Sequence, residues 1–253
     1  MIKGVLLDLS GVLYEGDCAL PGAVDALKRL SRQLPVAYVT NTSRKPRSTV
    51  HAMLQSMGFD IAVQDVFTAA TAAHQYIQSH RLRPHLLIHP ALDEEFSDLD
   101  SRHPNAVVLG DAAEYFTYNK LNQAFRVLMQ EESIPLIAMG YNRYFKESDG
   151  LSLDLGAFAS CLEFASGKQA IITGKPARDF YLQAVAHLGC TPEQVLMVGD
   201  DVYSDVEGAM HAGLQACLVK TGKYREGDEI KIDHQPDRLC NNFSDLVEDL
   251  FGH

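Results

Sequence analysis

The chain has 253 residues, with 33 acidic and 22 basic side chains and a formal net charge of −11. That length allows one large domain or two smaller ones, each with a buried core. The charge disfavours nucleic acid and anionic membrane surfaces as partners, and no apolar run approaches the roughly 20 residues of a membrane span. An anionic substrate would therefore require a local cation.

The five cysteines indicate a reducing compartment. Their odd number and the lack of a Cys-x-x-Cys pair predict free thiols and a cytoplasmic location. Cys18, in the loop after the first strand, is expected to be an ordinary thiol. The chain enters an apolar strand at once, which predicts no signal peptide.

The first part of the chain alternates apolar strands with helices. Val5 to Leu7 form a continuous apolar run, typical of a strand buried on both faces of a sheet. The run ends at Asp8-Leu9-Ser10-Gly11, and a second buried strand over 36–39 runs into Thr40-Asn41. Helices are predicted from Pro21, over 47–57 with Gly58 as the C-terminal cap, and over 65–81.

The middle of the chain carries its own set of elements. Thr40 and Lys175 are 135 positions apart, whereas one crossover needs only a helix and two short loops. We therefore predict an inserted α/β cap domain over 76–166 and a core made of 1–75 and 167–253. Its predicted strands cover 86–88, 106–109 and 136–139, and its predicted helices cover 119–130 and 156–165.

The last part returns to the core. A strand over 170–173 leads into Gly174-Lys175-Pro176, and a buried strand over 195–198 leads into Gly199-Asp200-Asp201. Helices are predicted over 179–187, 205–212 and 244–251, with a final strand over 216–219. The alternation predicts an α/β fold with a doubly wound, Rossmann-like parallel sheet.

Four polar segments each follow a predicted strand, so a parallel sheet would collect them at one edge. They supply a carboxylate at Asp8, a hydroxyl at Thr40, an ammonium at Lys175 and the acidic group that starts at Asp200. Each has a structural alternative: a turn-capping aspartate, a helix N-cap before Pro46, a surface lysine, and a calcium loop. The calcium loop is disfavoured because Val202 and Ser204 fill positions where an EF-hand places acidic ligands.

These segments, in this order, resemble the motifs of the haloacid dehalogenase-like hydrolase superfamily, in its large α/β-cap (type IIA) branch. The closing segment Val219–Tyr224 also resembles that branch. The resemblance implies that Asp8 is a nucleophile that forms an aspartyl-phosphate, and that Lys175 holds a phosphate oxygen and screens Asp8.

The same resemblance implies Mg²⁺ as the cofactor. Its ligands would be the carboxylates of Asp8 and Asp200 and the backbone carbonyl of Ser10. Asp201 and Asp205 would not bind the metal directly but would orient its ligands or Lys175. The implied substrate-binding residues are Asp8, Leu9, Ser10, Thr40, Asn41 and Lys175.

Ser10 departs from the pattern of many members, which place a second aspartate two residues after the nucleophile. A serine hydroxyl is a poor general acid near neutral pH. This favours substrates whose leaving group needs little help, such as a phosphoanhydride or a phosphoramidate. The resemblance implies the same class: pyrophosphate, or phosphate on a lysine or histidine nitrogen. The alternatives are small monoesters such as sugar or nucleotide phosphates, and a weak pseudophosphatase that acts as an interaction module. The resemblance is also compatible with a homodimer.

Overall fold

The apolar runs form two separate sheets in a computed structural model, which describes residues 1–147 and 150–252. The chain divides into two compact units. The first contains Met1–Thr40, Arg47–Phe67 and Lys175–His253, and the second contains Asn41–Pro46 and Thr68–Gly174. The segment 76–166, predicted from the sequence as an insertion, lies wholly within the second unit.

The first unit is built on a six-stranded sheet. In spatial order its strands are β14 (Arg238–Cys240), β13 (Gln215–Val219), β12 (Val195–Gly199), β1 (Gly4–Asp8), β4 (Val36–Thr40) and β5 (Val66–Thr68). From β14 to β4 all neighbouring strands pair in parallel. The carboxyl ends of β1, β4 and β12 therefore lie at one edge of the sheet, which confirms the predicted fold class.

Helices surround this sheet because their apolar faces pack against its buried strands. They are α1 (Ala23–Ser31), α2 (Arg47–Ser56), α6 (Arg178–His187), α7 (Gly208–His211) and α8 (Phe243–Phe251). The terminal helix α8 packs on α1, where Arg29 donates to Glu248 and to the carbonyl of Phe251. A short antiparallel hairpin follows β1. Its strands, β2 (Tyr14–Glu15) and β3 (Cys18–Ala19), have two residues each.

The second unit has a four-stranded parallel sheet of its own. Its spatial order is β11 (Ala170–Ile172), β8 (Leu136–Ala138), β7 (Ala106–Leu109) and β6 (Pro84–Leu87). Three helices accompany it: α3 (Ala69–Ser79), α4 (Tyr118–Leu128) and α5 (Leu155–Ser166). A hairpin of β9 (Tyr144–Glu147) and β10 (Gly150–Leu153) completes the unit.

Several sequence predictions of individual elements are wrong in detail. The helix predicted over 65–81 begins only at Ala69, because Thr68 and Thr71 form a reciprocal capping box and the preceding residues form β5. No strand was predicted over the segment Tyr144–Glu147, which forms β9. β14 was not predicted, since three residues carry too short a pattern. No helix among the described residues is long and apolar enough to cross a membrane.

Candidate active site

One ammonium group lies between two carboxylates at the edge of the first unit's sheet. Lys175 Nζ donates to Asp8 Oδ1 at 2.5 Å and to Asp205 Oδ1 at 2.6 Å. All three side chains are buried, with residue exposures of 7 % for Asp8, 4 % for Lys175 and 1 % for Asp205. Because buried charges are stable only when paired, this contact fixes the position of all three groups.

A third carboxylate belongs to the same cluster. Oxygen atoms of Asp8, Asp200 and Asp205 all lie within 4.8 Å of one another. Asp200 follows β12 directly, and its Oδ2 accepts a hydrogen bond from the backbone N–H of Lys223 at 2.7 Å. Asp205 uses both carboxylate oxygens: Oδ1 accepts from Lys175, and Oδ2 accepts from the N–H of Asp201 at 3.1 Å.

Burial and crowding raise the pKa values of two of these carboxylates, Asp200 and Asp205. Burial, reinforced by the charges of Asp8 and Asp205, raises the pKa of Asp200. Burial also raises the pKa of Asp205 despite its contact with Lys175. Burial opposes the charge of Lys175, but the carboxylates of Asp205 and Asp8 hold its pKa above the ordinary value. The excess of negative charge over one ammonium favours an additional cation.

The turn that carries Asp205 is organised by Asp201. Its Oδ1 accepts from the N–H groups of Tyr203 at 3.1 Å and Ser204 at 3.0 Å, at the start of a π-helical turn, Val202–Glu207. Burial would raise the pKa of Asp201, but the charge of Lys223 and the hydrogen bonds from these amides lower it overall. The helix predicted over 205–212 therefore begins earlier and is wound differently, with only Gly208–His211 as α-helix.

The remaining predicted residues lie in differing environments. Thr40 is buried at the end of β4, while Asn41 falls in the second unit, where its Oδ1 lies beside Gly174. The Leu9 side chain is fully buried in the core, so a role in substrate binding would fall to its backbone. Ser10 is exposed and forms an isolated bridge with Tyr14.

Sequence reasoning missed the supports behind these groups. The phenol of Tyr181 is buried and donates to the carbonyl of Ser204 in the π-helical turn. Gly199 allows Asp205 to approach β12, because a Cβ there would overlap the Asp205 carboxylate. Gly199, at the end of β12, is the sequence feature that could have indicated this close approach. The sequence gives no such indication for Tyr181, since it occupies what looks like an ordinary apolar position of α6.

The parallel α/β core carries buried carboxylates at two strand ends and a lysine paired with one of them, and similarity to known proteins places it in a class of hydrolytic enzymes. A family model described as haloacid dehalogenase-like hydrolase matches residues 5–102, and one described as HAD-hydrolase-like matches residues 172–246. The chain is 43% identical over 257 residues to the phospholysine phosphohistidine inorganic pyrophosphate phosphatase of Rattus norvegicus, covering 100% of this chain and 95% of the relative.

Solved structures agree with that assignment. A 4-nitrophenylphosphatase from Thermotoga maritima has a TM-score of 0.89 and 27% identity, covering 98% of this chain and 97% of its own. A glycerol phosphate phosphatase from Mycobacterium tuberculosis in complex with magnesium has a TM-score of 0.88 and 25% identity. The match covers 98% of this chain and 77% of the phosphatase chain. The chain belongs to the haloacid dehalogenase-like hydrolase family, and it is a phosphatase.

Proposed function

We propose that this protein is a Mg²⁺-dependent phosphohydrolase that works through an aspartyl-phosphate on Asp8. The observation that carries the proposal is the Lys175 ammonium 2.5 Å from Asp8 Oδ1. Phosphoryl transfer requires an in-line nucleophile and positive charge around the transferring group. We assign the first unit the role of catalytic core and the second unit the role of cap.

The reaction would have two steps. In the first, an Asp8 carboxylate oxygen forms a bond to phosphorus, and the bond from phosphorus to the leaving group breaks with its electron pair on the leaving group. In the second, water attacks the same phosphorus, the bond to Asp8 breaks, the carboxylate is regenerated, and the protons of the water leave with the inorganic phosphate. Lys175 stabilises the negative charge of the transferring group throughout, and Asp205 keeps the ammonium protonated and in place.

The donor set suits a hard divalent cation. Asp8 Oδ1 and Asp200 Oδ2 accept the hydrogen bonds described above, while the other oxygen of each carboxylate accepts none from the residues that the structure describes. We propose that these two oxygens and the backbone carbonyl of Ser10 hold Mg²⁺, which prefers oxygen ligands. Both oxygens of Asp205 are already engaged, so it supports Lys175 and the Asp201 backbone. When bound, the ion neutralises charge on the phosphoryl oxygens.

For the substrate, we propose pyrophosphate or phosphate on a lysine or histidine nitrogen. Ser10 offers no acid to protonate an alkoxide, whereas phosphate is a stable leaving group and a phosphoramidate nitrogen can be protonated before cleavage. The name of the rat relative points to the same substrates. A second candidate is a phosphatase of small monoesters, favoured by the names of the two solved structures.

A substrate panel tests both proposals. Purified protein is assayed with pyrophosphate, imidodiphosphate, phospholysine, phosphohistidine and several sugar and nucleotide phosphates, with Mg²⁺ and with chelator. We expect Mg²⁺-dependent hydrolysis with higher kcat/KM for the anhydride and P–N substrates. Higher kcat/KM for the monoesters would favour the second candidate. Hydrolysis that is unchanged by chelator, or that persists in Asp8→Asn, would contradict the mechanism.

A further inference from the structure

The segment Thr221–Lys223, which follows β13, contacts both loops that carry the proposed metal ligands. The Thr221 hydroxyl donates to the carbonyl of Gly11, three residues after Asp8. The N–H of Lys223 donates to Asp200 Oδ2 at 2.7 Å. Since β13 pairs in parallel with β12, and β12 with β1, this segment leaves the sheet at the same edge as Asp8 and Asp200.

Two glycines enclose the anchored oxygen of Asp200. Gly11 has φ +84° and Gly222 has φ +57°, and a Cβ added to either would overlap Asp200 Oδ2. A Cβ at Gly222 would also lie 2.6 Å from the Cα of Gly11. The left-handed backbone and the close approach therefore both require glycine at these positions. One carboxylate oxygen is thus fixed by two backbones and an amide.

We propose that Thr221–Lys223 is a positioning segment that sets the orientation of Asp200 relative to Asp8 and thereby the affinity of the site for a divalent cation. The inference rests on the proposed function, because it assumes that Asp8 and Asp200 share the ion. Because Oδ2 is anchored, Asp200 Oδ1, which accepts no hydrogen bond from the residues that the structure describes, is the oxygen available to the ion. The Thr221 hydroxyl holds the Asp8 loop at the same segment, so both ligands share one support.

The test measures Mg²⁺ binding by calorimetry, independently of turnover. Gly222→Ala pushes a methyl group against Asp200 Oδ2, and Thr221→Val removes the hydroxyl at nearly constant volume. Gly16→Ala is the matched control: Gly16 has the same φ of +57° as Gly222, is exposed, and has no atom within 4 Å of an added Cβ. Thr221→Ser is the conservative variant that keeps the donor.

Loss of a group that orients a metal ligand typically weakens affinity by roughly 10–100-fold. We expect Gly222→Ala and Thr221→Val to raise the Mg²⁺ dissociation constant by about tenfold or more. Gly16→Ala and Thr221→Ser should bind as the wild type does. If Gly222→Ala does not fold, the Val and Ser variants of Thr221 decide the question.

Wild-type affinity in Thr221→Val, or in folded Gly222→Ala, would overturn the inference and leave the proposed function intact. Equal weakening in Gly16→Ala would also overturn it, since strain alone would then explain the effect. A wild-type protein that binds no Mg²⁺ would overturn the proposed function and this inference with it.

Discussion

Asp8 and Ser10 are two residues apart, yet their side chains lie in opposite environments. Asp8 ends a buried strand and is paired with Lys175, so its carboxylate is held in a fixed position. Ser10 is exposed in the turn that follows. The proposed nucleophile is therefore rigidly supported, while the position that would hold a general acid carries only a weakly acidic hydroxyl.

Substituting Ser10 with aspartate tests this reading of the substrate class. Ser10→Asp should raise kcat for alkyl phosphate monoesters by about tenfold or more, because a positioned general acid contributes roughly 10²–10⁴-fold. Pyrophosphate hydrolysis should change little. Ser10→Asn, which has similar size but no acidic proton, is the control. An equal gain in the Asn variant, or no gain with aspartate, would refute the leaving-group argument.

At the scale of elements, the site is assembled from strand ends and one irregular turn. The sequence marked Asp8 and Asp200 because each lies at the end of an apolar strand, where parallel sheets gather their ligands. Lys175 was marked in the same way, but the strand predicted before it is β11, which belongs to the sheet of the second unit rather than to the core sheet. It could not reveal the π-helical turn, since apolar spacing over 202–212 fits an ordinary helix. That turn depends on a long-range contact, from Tyr181 in α6 to the carbonyl of Ser204. Such contacts have no local pattern.

Removing the Tyr181 hydroxyl should destabilise this turn. Tyr181→Phe leaves the partly buried Ser204 carbonyl without this donor, so the free energy of unfolding should fall by ~1–3 kcal/mol in a denaturant titration. Tyr203→Phe, at an exposed neighbour, should have no effect. If Tyr181→Phe is as stable as the wild type, the phenol does not anchor the turn that carries Asp205.

At the scale of the whole molecule, two units each bury their own apolar core. From the sequence, the interval between Thr40 and Lys175 indicates an inserted domain, because it has more elements than a crossover requires; the domain bounds remain a prediction. The exact division could not be predicted: contacts of α3 with the 3₁₀ turn Pro90–Phe96 join that helix to the second unit, and Asn41–Pro46 falls there as well.

Two phenylalanines show how unequally apolar residues contribute to these cores. Phe243 is 1 % exposed in the core of the first unit, whereas Phe164 is 94 % exposed on α5. Phe243→Ala should lower the free energy of unfolding by ~3–5 kcal/mol, because it leaves a cavity. Phe164→Ala should change it by no more than about 0.5 kcal/mol, as for an exposed site. Comparable losses in both variants would contradict the described packing.

The proposed mechanism requires that the Asp8 carboxylate becomes phosphorylated during turnover. Protein mixed with Mg²⁺ and pyrophosphate is quenched in acid within one turnover, digested, and searched by mass spectrometry for one added phosphoryl group. We expect to find the phosphoryl group on Asp8 and to see it disappear with time. It should be absent from the Asp8→Asn variant and present in the control variant Asp17→Asn. A phosphoryl group on another residue, or turnover without any phosphorylated enzyme in repeated quenches, would contradict it.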